Sequence, residues 1–342
     1  MPRPWRVRYS GAKYHVTSRG NGREGVFRRN EDYGRFLEQL DDALKADQVI
    51  LYAYVLMPNH YRLMVETPLG NIQRFMQRLN TAYGMYFRYK HSRPGHCFQG
   101  RYGAKLVRGD DYIVRLTRYI HLNPVKVRRF AGAAKAEKLK YLREFEWSSY
   151  RGYAGLAPEQ KRINYHWLNL MSGRTKADRK TEYRQYIESM VDGKDDVLEQ
   201  AMESSRYAIG DADFRDEVRE ELRQREMEQG ETGDIVWPEA RRLNVKDVEA
   251  AVIEELKVTA KDLHAHGRHA GPAKSMAIEL CCRFTGLSQR EIALHFGYGS
   301  ESSVGKQRKR FSASVIAGEH CRKLLSRIAG VLESEVRKKA KV

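Results

Sequence analysis

Cysteine is scarce in this chain, and long apolar runs are absent. Four cysteines occur in 342 residues, Cys97, Cys281, Cys282 and Cys321. They form no C-x-x-C pair and have no histidine at zinc-finger spacing, so neither a disulfide framework nor a zinc site is read from them. No stretch approaches the roughly 18–20 apolar residues that cross a bilayer. The first residues, Met1-Pro-Arg-Pro-Trp-Arg6, lack the apolar core of a secretory signal. Together these absences lead us to expect a cytoplasmic protein with no membrane role. No internal repeat and no long low-complexity segment is present.

Positive charge is abundant. The formal net charge is +18, which favours polyanionic partners. Residues 1–128 carry 23 Lys and Arg against 10 Asp and Glu. Residues 129–240 carry 19 against 23, and residues 241–342 carry 20 against 11. Two basic blocks flanking a mildly acidic one suggest two nucleic-acid contact surfaces joined by a spacer.

The first block alternates between strand and helix patterns. Tyr14–Thr17 reads as a strand that ends at the turn-prone Arg19-Gly-Asn-Gly22. Apolar residues at helical spacing (Tyr33, Phe36, Leu37, Leu40, Leu44) predict a helix over 30–46. Val49–Met57 and His60–Thr67 read as strands broken by Pro58-Asn59. A helix over 71–90, a strand near 102–107 and a helix over 110–122, stopped before Pro124, complete the block. The expected fold class is α+β, a largely antiparallel sheet with packed helices. Residues 156–240 are charged and helix-compatible, with a helix start at Gly210-Asp-Ala-Asp213 and an expected loop over 226–233. The remainder reads as helical, ending in a basic tail.

Two segments carry chemistry. Period-two alternation in Val55-Leu-Met-Pro-Asn-His-Tyr-Arg-Leu-Met-Val-Glu-Thr67 puts His60, Arg62, Met64 and Glu66 on one sheet face. In Arg118-Tyr-Ile-His-Leu-Asn-Pro-Val125, Tyr119 and Asn123 stand four residues apart, on one face of a helix. A phenol that attacks phosphorus needs a polarised phosphate, and a side-chain amide one turn away can give an oxygen to a hard cation such as Mg²⁺. Each piece alone also has an ordinary reading: a hydrogen-bonded histidine, a packed tyrosine, a helix-end asparagine.

The whole stretch from Tyr14 to Tyr153 nevertheless resembles the REP-associated tyrosine transposases, relatives of small insertion-sequence transposases with one catalytic tyrosine and a His-hydrophobic-His (HUH) motif. The matching segments are Tyr14-His-Val-Thr-Ser-Arg-Gly-Asn21, Leu56-Met-Pro-Asn-His60, Cys97-Phe-Gln-Gly-Arg-Tyr102, Tyr119-Ile-His-Leu-Asn-Pro124 and Trp147-Ser-Ser-Tyr150. The resemblance implies a ferredoxin-like sheet, Tyr119 as nucleophile, and His60 and Asn123 as ligands of a divalent metal, Mg²⁺ or Mn²⁺. It also implies an endonuclease and strand transferase acting on single-stranded, palindromic hairpin DNA through a 5′-phosphotyrosine. Such a protein is bacterial and nucleoid-associated, a transposase or a domesticated relative.

Arg62 stands where the family carries its second histidine. A guanidinium offers only donors and cannot ligate a cation. Either Arg62 binds the scissile phosphate itself, or the metal site is weakened and the protein is a sequence-specific DNA-binding regulator. An RNA-hairpin binder is a third class. Glu66, about 13 Å along the strand from Arg62, and His121, two positions from Tyr119, are poor substitute ligands. Gly103 replaces a lysine common in relatives, and Lys105 is a candidate to compensate.

For DNA contacts, Arg3, Arg6, Arg8, Lys13, Arg19 and Arg23 crowd the N-terminal region. Tyr83, Tyr86, Phe87, Arg88, Tyr89 and Lys90 mix rings with cations, as single-strand binding does, or form a helix core stripe. Farther on, Ser288 and Glu291 read as a capping box. Gly297 and Gly299 make a turn, and a helix from Ser302 to Phe311 carries Lys306, Arg308, Lys309 and Arg310. Residues 243–311 resemble the DNA-binding domain of the replication initiator DnaA, which implies a helix-turn-helix that binds duplex DNA. Ser300-Glu-Ser-Ser-Val304 departs from the initiator's usual stretch. The expected layout is therefore 1–155 transposase domain, 156–242 connecting region, 243–332 helix-turn-helix domain and 333–342 basic tail.

Overall fold

Alternation in the first block lets one sheet bury both of its faces. The structure, a computed structural model, describes residues 6–9, 11–229, 234–236, 243–265, 271–285, 287, 289–300, 303–308, 311 and 318–339. The chain divides into two units, Met1–Val236 and Trp237–Val342.

In the first unit, β1 (Arg6–Arg8) precedes β2 (Ala12–Arg19), α1 (Asn30–Asp47), β3 (Ile50–Met57), β4 (His60–Thr67), α2 (Ile72–Lys90), β5 (Gly103–Val107) and α3 (Asp110–Leu122). Strands β3, β4, β2 and β5 lie side by side in that order, each antiparallel to its neighbours. With two crossover helices this is the β-α-β-β-α-β arrangement of ferredoxin-like sheets, and the expected fold class is confirmed. A short β6 (Ala208–Ile209) adds to β5 in parallel, making five strands. β7 (Asp234–Val236) pairs with β1 apart from this sheet.

One face is covered by α1 and α2 through an aromatic layer. Phe36 packs on Tyr61 at 4.8 Å and on Tyr83 at 5.1 Å between ring centroids. Phe75, Leu79, Tyr83 and Phe87 point inward from α2 with no exposure. The core-stripe reading of Tyr83 and Phe87 is therefore the correct one, whereas Tyr89 is 92% exposed. Asp47, fully buried at the end of α1, holds Arg74 and Arg78 of α2 and locks the two helices together.

The opposite face receives α3, whose Ile113, Leu116 and Ile120 pack with Val55, Met57 and Met64 of the sheet. Later elements pack here as well: α4 (Lys135–Glu144), α5 (Tyr150–Tyr153), α6 (Lys176–Glu188) and α7 (Asp196–Glu203). Asp195 takes ion pairs from Arg115 and Arg118 of α3, and Trp167, Leu198 and Ile209 complete the apolar cluster. The Trp147-Ser-Ser-Tyr150 segment latches onto the sheet edge. Its Trp147 carbonyl accepts from Leu56 N, and its indole stacks on Tyr33 at 4.6 Å. α8 (Ala212–Gln229) begins where the Gly210-Asp-Ala-Asp213 start was read. It continues as helix through Gln229, so the loop expected from 226 is helical over its first residues. Glutamates and Gln229 favour helix, and no Pro or Gly breaks it before 230.

The second unit is helical: α9 (Val245–Leu256), α10 (Ala260–His264), α11 (Pro272–Phe284), α12 (Gln289–His295), a helical stretch over 303–308, and a last helix, Glu319–Lys339. Asn244 caps α9 in a reciprocal box with Asp247. Ile278, Cys281, Ile292, Phe296 and Val304 form its core. Among the described residues no helix is long and apolar enough to cross a membrane.

Candidate active site

The site lies on the α3 face, at the end of β4 that carries His60. Strand pairing sets its rows: Arg19 faces His60, Thr17 faces Arg62, and His15 faces Met64 across β2 and β4, while Lys105 faces His15 on β5. Helix α3 crosses this face and brings Tyr119 over it. Asn123 follows directly after α3, where Pro124 forces a tight 3-10 turn. The Asn123 amide turns back, Nδ2 donating to the Tyr119 carbonyl at 3.3 Å. That bond settles the amide's orientation and leaves Oδ1 facing the sheet.

Three groups converge there. His60 Nε2 lies 3.3 Å from Asn123 Oδ1, and Arg62 Nε donates to the same oxygen at 3.3 Å. The Arg62 guanidinium carbon lies 5.0 Å from the centroid of the Tyr119 ring. Asn59 fixes the histidine tautomer. Its Nδ2 donates to the Arg23 carbonyl, so its Oδ1 accepts from His60 Nδ1–H at 2.8 Å. Burial, reinforced by Arg62 and Arg19, pushes the His60 pKa down to about 4. At neutral pH the ring is uncharged and its Nε2 is a lone pair aimed at a second acceptor, Oδ1. Two acceptors facing one another are favourable only with a cation between them, and ligand bonds of about 2.1 Å to each would span the gap. His60 and Asn123 therefore fit a divalent ion.

Arg62 opposes that ion. Its Nε occupies one lone pair of Oδ1, and its charge repels a cation. Neither alternative ligand is at hand. Glu66 is held by Tyr52 at 2.7 Å and by Lys13 at 3.2 Å. His121 is fully buried, with Nδ1 on Tyr183 and Nε2 on Ser149, each at 2.7 Å, and burial takes its pKa down to about 3. Lys105 does not reach the site, because its ammonium donates to the carbonyls of Met202 and Ser205.

His15 is a site neighbour that the sequence reading missed. It is 3% exposed, its ring meets Tyr119 edge-on at 5.9 Å, and its Nε2 has no hydrogen-bond partner among the described residues. Burial and the nearby Arg62 and Lys105 charges hold it neutral. Alternation along β2 puts His15, Thr17 and Arg19 on one face, but only the pairing of β2 with β4 shows that this face is the tyrosine's.

The proposed DNA contacts fare differently. Arg19 and Arg23 are exposed. Lys13 is committed to Glu66, and Arg8 reaches Gln73 at 3.3 Å. Arg6 lies in β1, whereas Arg3 lies outside the described residues. In the second unit Lys306 is exposed, and Arg308 pairs with Glu279 at 2.8 Å. Ser288, Ser302, Lys309 and Arg310 lie outside the described residues.

The class this site suggests has an independent counterpart. Residues 8–123 match the family model described as transposase, IS200-like. That third of the chain contains His15, His60, Arg62, Tyr119 and Asn123, and it supports a transposase-related function. Among solved structures, a REP-associated tyrosine transposase bound to a REP hairpin aligns at 16% identity and a TM-score of 0.37, covering 48% of this chain and 93% of its own. A candidate transposase of Deinococcus radiodurans R1 aligns at 19% identity and a TM-score of 0.26, covering 34% and 95%. No curated protein matches the chain.

Proposed function

We propose that the first unit cleaves and rejoins single-stranded hairpin DNA, with Tyr119 as nucleophile. The observation that carries this reading is the approach of His60 Nε2 to Asn123 Oδ1, two acceptors 3.3 Å apart beside a tyrosine under a guanidinium. Tyr119 Oη attacks the phosphorus and forms a P–O bond. The bond to the 3′ oxygen breaks, that oxygen leaves as a 3′-hydroxyl, and the DNA 5′ end remains esterified to the tyrosine. Reversal by another 3′-hydroxyl joins strands without ATP. Held by His60 and Asn123, a Mg²⁺ or Mn²⁺ ion would supply Lewis-acid polarisation of the phosphate. Arg62 places fixed positive charge beside the phenol and the phosphate, and Asn59 keeps the His60 lone pair turned inward. Arg19 and Arg23 extend the positive surface along the strand.

The second unit, in the same proposal, binds duplex DNA. α12, the turn at Gly297 with φ of +71°, and the helical 303–308 stretch bearing Lys306 follow a helix-turn-helix order.

A second reading has its own support. Arg62 donates to the oxygen a metal would need, which favours a DNA-binding regulator without cleavage. Labelled hairpin single-stranded DNA, incubated with the protein and Mn²⁺, separates the two. A covalent adduct absent from Tyr119→Phe establishes the nuclease. Tight binding with no adduct in the wild type establishes the regulator, and preference for an RNA hairpin of the same sequence overturns both.

A further inference from the structure

Among the described residues, one group of three His, Cys, Asp or Glu side chains lies close enough to share a metal ion, and its members all belong to the second unit. Glu249 stands on α9, His264 ends α10 and His295 ends α12. Both imidazole Nε2 atoms converge on one carboxylate oxygen, Glu249 Oε1, at 2.9 Å from His264 and 2.8 Å from His295. The three ligand atoms lie within 4.8 Å of one another.

The surroundings hold this geometry in place. The His264 ring stacks on Phe296 at 5.5 Å with 19° between planes, and His295 meets the same ring edge-on at 5.1 Å. Phe296 itself is fully buried. Lys274 of α11 donates to the carbonyls of Ala265 and Phe296, the residues that follow the two histidines. Both histidine-bearing helix ends are thus pinned to a common helix. The Glu249 side chain is 15% exposed, whereas the histidines at 40% and 34% leave an open side to solvent.

We propose that Glu249, His264 and His295 form a binding site for a divalent transition metal of the zinc class, clipping α9, α10 and α12 together. Two imidazole nitrogens and one carboxylate oxygen are a borderline donor set suited to zinc, and water completes the coordination. On binding, each ring carries its proton on Nδ1, exchanged through solvent, so that the Nε2 lone pair faces the ion and the contacts now made by hydrogen bonds become metal–ligand bonds. A metal that binds only the assembled triad stabilises the fold. Sequence spacing conceals the site, because its ligands come from three helices with 15 and 31 positions between them and no short motif.

Zinc titration of the chelator-treated full-length protein tests this, read by calorimetry and by melting temperature. Wild type is expected to take up zinc with a rise in melting temperature. The His264→Gln/His295→Gln double variant should bind one equivalent fewer than wild type and lose the rise. Glu249→Gln preserves the shape and should fold without zinc, by circular dichroism, while losing the zinc response. It keeps the proposal testable if the double variant does not fold. An unchanged stoichiometry and melting response in these variants overturns the site. So does a wild type that shows neither, or a cobalt-loaded protein whose spectrum shows thiolate ligation.

Discussion

Replacing Arg62 measures how strongly a fixed cation suppresses metal binding at the tyrosine. Its Nε lies 3.3 Å from Asn123 Oδ1, and an ion on that oxygen would sit about 2 Å beyond it. The guanidinium charge is then about 5 Å from the ion. Repulsion between charges of +1 and +2 at that distance is about 2 kcal/mol at the permittivity of water and about 7 kcal/mol at an effective value of ~20. Asn123 is buried and His60 and Arg62 are half-buried, so the repulsion lies between these limits. Arg62→Gln removes the charge without adding a ligand, so it should tighten Mn²⁺ binding by at least about tenfold, the equivalent of ~1.4 kcal/mol. Arg62→His adds an imidazole and should tighten it further, with more covalent adduct on hairpin DNA at limiting Mn²⁺. Both should weaken metal-free binding of the same DNA, because the phosphate loses its guanidinium. Free Mn²⁺ is counted by electron paramagnetic resonance. Affinity in both variants within twofold of wild type would refute the electrostatic reasoning.

Three further outcomes are expected. Arg19→Ala should weaken hairpin binding and reduce the slope of log K against log salt by about 0.7 if its exposed charge neutralises one single-strand phosphate; an unchanged slope removes it from the interface. In urea titrations, stability should be level above pH 7 and fall as pH drops from about 6.5 toward 3. The folded pKa values of His121 (about 3) and His60 (about 4) lie below the ordinary value, so the unfolded chain takes up protons first; a flat profile across that window contradicts their burial. Truncating Phe36, fully buried between Tyr61 and Tyr83, should cost about 3–5 kcal/mol in the same assay.

Much of the first unit was legible because its strands and helices are strongly periodic. The helix over 110–122 and the strand over 60–67 appear at the residues that periodicity marked. The pairing of Tyr119 with Asn123 needed only helical spacing. What stayed hidden depended on contacts between elements. His15 is one residue among eleven histidines until register sets it on the tyrosine's face. Lys105, a candidate for the missing lysine, is drawn away by the carbonyls of Met202 and Ser205, from a stretch that composition marked only as charged helix. The Glu249 cluster was invisible for the same reason.

His15 also bears on what the arginine does. A base that accepts the phenol's proton must hold it near neutral pH, yet burial, Arg62 and Lys105 all disfavour the His15 cation. In the proposed reaction His15 therefore acts by position, as a neutral wall packed against the Tyr119 ring. The Tyr119 ring also meets the Arg62 guanidinium, which in the same proposal is the fixed positive charge beside it. His15→Phe keeps a wall and His15→Ala removes it. The first should retain the rate of adduct formation to within a few fold and the second should lose about tenfold or more, both with wild-type Mn²⁺ affinity and an unshifted pH profile. A loss in both variants, accompanied by a displaced pH profile, would show proton transfer instead, with the ~10²–10⁴-fold contribution that such catalysis carries.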